Sequence, residues 1–176
     1  MMKRLISLGA AALASLVGGC GDGPSTVPGF RSPATWSSFV YATNNGPLLL
    51  DVVGDPFASG SGDLRRVAVA AMAAGIPGRP FTLTLDPAVA ARPNFRIVLV
   101  AGAASDLDER AVCAGRAKAA NIKIDGGRID LIATFCDGDS LLSSVRGWVA
   151  KIGGADDRRF SLLLGQMTRD LMGEPQ

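Results

Sequence analysis

The chain has 176 residues, enough for one domain with a real core, and 48% of them are hydrophobic, a globular composition and not that of a disordered chain. Of its 18 Lys and Arg, Lys3 and Arg4 fall in an N-terminal leader, which leaves 16 against 16 Asp and Glu. A domain so close to neutral has no electrostatic footprint for nucleic acid, and without a single histidine it excludes Ser-His-Asp and Cys-His nucleophiles and histidine-ligated metals.

The leader runs Met1-Met2-Lys3-Arg4, then an apolar stretch from Leu5 to Val17, then Gly18-Gly19-Cys20. Basic residues, a short apolar run and small residues make a secretory signal peptide, and the run is too short to cross roughly 30 Å of hydrocarbon as a helix. Leu16-Val17-Gly18-Gly19-Cys20 resembles the lipobox of bacterial lipoproteins: Val17 is the aliphatic residue three before the cysteine, and Gly18 and Gly19 are the small residues between. The resemblance covers about the first 20 residues. It implies diacylglycerol on the Cys20 sulfur, cleavage before Cys20 and acylation of the new amino group, with palmitate as a fatty acid to look for. Two or three acyl chains, at about 0.8 kcal/mol per buried CH₂, hold a protein on a membrane where one is marginal. Gly21 stands where enterobacterial inner-membrane lipoproteins carry Asp, so the resemblance points to the outer membrane, facing the periplasm. Ala12-Leu13-Ala14 also fits a small-x-small site, which leaves an ordinary secretory peptide as the alternative. The expected division is a signal peptide over 1–19, a lipidated Cys20 with a flexible Gly-, Pro- and Ser-rich tether over 20–36, and a single domain over 37–176; the alternative for the tether is an N-terminal arm packed on the domain, with Phe30 and Trp36 as its anchors.

The domain opens with what reads as a hairpin, Phe39-Val40-Tyr41 against Leu48 to Val53 about the turn Asn44-Asn45-Gly46. A helix is expected from Asp63 to Ala74, with Leu64, Val67, Ala68, Ala71 and Met72 on one stripe, Ser61 or Asp63 as cap, and Gly75 and Pro77 as stop. Phe81 to Leu85 alternates as a half-buried strand, and Phe95 to Val100 is apolar enough to be central. Asn121 to Ile124, Ile129 to Phe135 and Leu141 to Val149 read as an antiparallel meander with turns at Asp125-Gly126-Gly127-Arg128 and Asp137-Gly138. A last helix spans Asp156 to Met172; Phe160, Leu163, Leu164, Met167 and Leu171 form its stripe, Leu162 and Met172 lie off it, and Gly173 and Pro175 close it. The fold class is α+β: a two-layer sandwich, a largely antiparallel sheet with about two helices on one face.

With Cys20 set aside, Cys113 and Cys136 are an even pair, a disulfide in an oxidising compartment. The loop of about two dozen residues would contribute roughly 3 kcal/mol. Two separate buried thiols are the alternative. Gly138-Asp139-Ser140-Leu141 spells the nucleophile block of GDSL lipases, but that family needs a histidine base, so the block reads as a turn. Asp137 and Asp139, and Asp106, Asp108 and Glu109, have no EF-hand spacing and read as turn carboxylates. Asp51 with Asp55, or Lys118 or Lys123 with a serine, make no supported acid/base pair. No catalytic residue, metal site or cofactor is expected. The expected role is a non-enzymatic envelope lipoprotein acting as a binding, accessory or structural subunit. The alternatives are a small-ligand or lipid carrier with an apolar pocket between sheet and helices, then a histidine-free hydrolase. The expected partners are the membrane, through the lipid anchor, and an envelope protein.

Overall fold

The computed structural model describes residues 21–57, 63–118 and 127–173. The leader, Cys20, Ser61, the 121–124 strand with the first half of its turn (Asp125 and Gly126), Lys123 and Pro175 lie outside them. The elements are β1 (Ser25–Arg31), α1 (Thr35–Thr43), β2 (Leu48–Val53), α2 (Leu64–Ala73), β3 (Leu83–Thr84), β4 (Phe95–Ala101), α3 (Glu109–Cys113), β5 (Arg128–Asp137), β6 (Ser140–Ala150) and α4 (Arg158–Met172). They form one six-stranded sheet in the order β1-β6-β5-β4-β2-β3. The β1–β6, β6–β5 and β5–β4 pairs are antiparallel; β4–β2 and β2–β3 are parallel. The α+β sandwich expected from the pattern is the fold observed.

α1, α2 and α4 cover one face of the sheet, where Phe39, Leu64, Met72, Ile97, Leu131, Phe135, Phe160 and Leu164 make the main core. The opposite face carries a smaller cluster of Val98, Val100, Val112, Ile132 and the two cysteines under α3. α2 starts where expected, with the Asp63 carboxylate accepting from the Arg65 and Arg66 amides at 3.1 and 3.3 Å. Gly75 has no left-handed φ. Its part is the close approach of α2 and α4: a Cβ there would stand 2.7 Å from Thr168 Cβ and 2.8 Å from the Gly165 carbonyl. Gly147 does the same for α4 on β6, its missing Cβ leaving room for Met167 and Leu163.

Four expectations need correction. The segment read as a tether is β1 followed by the first turn of α1, hydrogen-bonded to β6 from Ser25↔Trp148 to Arg31↔Ser143. Strand pairing needs only backbone donors and acceptors, and β1 is an edge strand with mostly exposed side chains, so no apolar period marks it. Phe39-Val40-Tyr41 is not a strand but the middle of α1, which buries Thr35, Phe39 and Ala42 at helical spacing. The strand expected over Phe81 to Leu85 shrinks to Leu83–Thr84 at the opposite sheet edge. On α4 the stripe and exposed Leu162 (51%) stand as expected, but Met172 is 1% exposed, turned into the core by the last helical turn.

Candidate functional site

A groove of about 1090 Å³ opens where the end of β1, the start of α1, the turn after α2 and the last turn of α4 meet. Its lining includes Arg31, Trp36, Ile76, Arg79, Arg169 and Asp170. Three guanidinium groups against one carboxylate make it electropositive. Each cation also serves a backbone carbonyl near a helix C-terminus, where unpaired carbonyls and the helix dipole favour positive charge. Arg31 donates to the Asp170 carbonyl, Arg169 to the Gly75 carbonyl at 3.4 Å, and Arg79 to the Val40 carbonyl at 3.3 Å and Thr43 Oγ1 at 3.1 Å. Arg79 lies 5.7 Å from the centroid of Phe39, and Trp36 packs on the same ring at 5.6 Å. The Nε of Arg79 is buried without a protein partner. The Asp170 carboxylate is taken up by the Thr26 hydroxyl, which in turn accepts from Gln166 Nε2 at 2.9 Å. The lining brings no nucleophile beside a base; its chemistry is recognition through guanidinium donors and an indole face.

Of the residues singled out in the sequence, Cys113 and Cys136 are brought together. They form a disulfide with Cα atoms 5.6 Å apart, both sulfurs inside the smaller core cluster. Arg96 on β4 donates to the Cys113 carbonyl at 2.6 Å, closing the end of α3 onto the sheet. Gly138-Asp139-Ser140-Leu141 is the β5–β6 turn and the first residues of β6, with Gly138 at φ +54°. Asp108 caps α3 through the Arg110 amide at 3.0 Å, and Glu109 pairs with Arg146 at 3.0 Å. Asp55 accepts from the Phe57 amide at 3.1 Å, and Asp51 is exposed on β2. Among the described residues no group of three or more acidic or sulfur side chains could hold a metal ion. Val17, Gly18, Gly19 and Cys20 lie outside the described residues.

The groove residues carry no motif that could have disclosed them. Arg31 and Trp36 sit in the stretch that reads as a tether, and Arg79 in a Pro- and Gly-rich turn. Only Arg169, a basic residue in the last turn of α4, has a local signal, and that signal is helix capping. No family model, curated protein or solved structure matches the chain.

Proposed function

We propose that the chain is a cell-envelope lipoprotein, anchored through lipid on Cys20, that acts by binding another envelope component and not by catalysis. Val17-Gly18-Gly19-Cys20 behind a basic and apolar leader carries this reading. The Cys113–Cys136 disulfide supports it, because such bridges persist in oxidising compartments outside the cytoplasm. The interior supports binding at the surface over carriage of an apolar ligand. The space between sheet and helices, where a carrier would hold its cargo, is filled by Phe39, Phe135, Phe160, Leu163 and Met167, all fully buried. The open groove lined by Arg31, Arg79 and Arg169 is the surface best equipped to meet a partner bearing carboxylate or phosphate groups. Gly21 favours the outer membrane as the address.

Radiolabelled palmitate supplied to producing cells is expected to enter the wild-type protein and not the Cys20→Ala variant, whose precursor should stay uncleaved at this site. Globomycin should make the wild-type precursor accumulate. A wild-type protein that takes up no label would remove the lipoprotein reading.

A further inference from the structure

One residue, Gly21, separates Cys20 from Asp22, and Asp22 is already part of the folded domain. Its carbonyl accepts from the Ala150 amide at 3.3 Å, and its carboxylate pairs with Lys151 at 2.6 Å. Two Cα–Cα steps reach about 8 Å at most. An acyl chain on Cys20 would therefore start within about that distance of the sheet end, not at the end of a long tether. We propose, resting on the lipoprotein reading above, that this end of the sheet lies directly against the lipid bilayer and the arginine groove faces away from it.

Strand register defines that end. The start of β1, the end of β6 and the start of β5 come together at Ser25↔Trp148 and Arg128↔Ala150, and the ends of β4 and β2 are level with them. The start of α4 is tied to the same place, Arg159 donating to the Ala150 carbonyl at 3.3 Å and to the Lys151 carbonyl. The surface there has interfacial chemistry. Trp148 is half-buried with the Arg128 guanidinium 4.5 Å from its ring centroid, and Lys151 is exposed. An indole with cations beside it suits the headgroup region, where one end of a side chain is apolar and the other wet. Both cations carry their own carboxylates, Arg128 with Asp130 and Lys151 with Asp22. Apposition therefore needs the anchor, not anionic lipid. The groove is at the other end. Thr35, next to Trp36, donates to the Leu142 carbonyl at 2.8 Å, six residues before Trp148 on β6. At about 3.3 Å per residue the two tryptophans stand at levels roughly 20 Å apart along the sheet.

The two tryptophans are thus internal rulers, and the chain has no others. Full-length lipidated protein, with its acyl chains verified by mass, is placed in phosphatidylcholine vesicles containing a headgroup spin-labelled phosphatidylcholine. In the Trp36→Phe variant the remaining Trp148 should be quenched at least twofold more than Trp36 is in the Trp148→Phe variant. Wild-type protein with ten Gly-Ser residues inserted between Gly21 and Asp22 should lose most of its quenching, a readout that does not require either tryptophan variant to fold. Equal quenching of both tryptophans, stronger quenching of Trp36, or no effect of the insertion, in protein that carries acyl chains, would overturn the orientation and leave the lipoprotein reading intact. Absence of the acyl mass would remove both.

Discussion

Asp157 shows how one carboxylate joins a helix start to a strand end. It caps α4 by accepting from the Arg159 amide at 2.8 Å, and it receives the Arg159 side chain at 3.2 and 2.9 Å. Arg159 in turn reaches the last carbonyls of β6. The Arg159 side-chain hydrogen bonds, then the Arg159 amide, hold the Asp157 carboxyl below the usual carboxylate range. A depressed carboxylate contributes stability that is fully present above its unfolded-state value and is lost as pH falls through the folded one. Asp157→Asn keeps the cap and removes the charge. Its stability deficit should be constant above about pH 5, where the carboxylate is charged in both states, and should shrink as pH falls below about 4, where the unfolded chain takes up the proton first and the folded carboxylate only at still lower pH. Asp157→Ala removes the cap as well, at about 1 kcal/mol at neutral pH. Thermal unfolding of the three proteins between pH 7 and pH 2 reads this out; a wild-type advantage over Asp157→Asn that persists unchanged to pH 2 would reject the assignment.

Elements differ in how much of their stability is local. α3 is five residues long, far below the length at which a helix holds itself together in water. The Asp108 cap, the Glu109–Arg146 pair, the Arg96 bond to Cys113 and the disulfide hold it to the sheet. Cys113→Ala and Cys136→Ala should each cost roughly 2–5 kcal/mol in urea unfolding, and the double variant should be no worse than the singles, because one bridge is lost only once. Free thiols on alkylation of the native, unreduced protein would contradict the bond. α2 and α4 were legible in the sequence because packing against a sheet imposes a stripe at period 3.6, and Leu64, Val67, Ala68 and Met72, or Phe160, Leu163, Leu164, Met167 and Leu171, supply it. α1 was not legible. Phe39-Val40-Tyr41 has strand propensity and Asn44-Asn45-Gly46 is a turn signal, but burial of Phe39 and Ala42 against the core overrides both. β4, β5 and β6 were clear from their apolar content. The parallel pairing of β2 with β4 has no signal in either strand alone, since it depends on where α2 leads the chain.

At the scale of the whole molecule, the largest departure from the tether reading is that residues 22–31 are fold and not spacer. β1 closes one edge of the sheet and is held from both sides. Its backbone pairs with β6, while Thr26 and Arg31 bond α4 at Asp170. Pro28 and Gly29, the residues that make the segment read as a linker, are tolerated because β1 is an edge strand whose outer donors meet no further strand. The groove was hidden for the same reason: it needs β1 as a wall, and a tether has no fixed place to lend. A tether can be shortened without consequence, an edge strand cannot. Deleting residues 22–31 from the mature domain should cost several kcal/mol, which at roughly 2–4 °C per kcal/mol for a domain of this size lowers the thermal midpoint on the order of 10 °C. It should also bare the backbone of β6, eleven residues long, as a new edge able to pair with another copy. Size-exclusion chromatography of the truncated domain should then show dimers or larger species where the intact domain gives a smaller one. An unchanged midpoint and an unchanged elution volume would mean that the segment contributes nothing to the fold, and the membrane-apposed orientation, which depends on Asp22 and β1 being fixed, would fall with it.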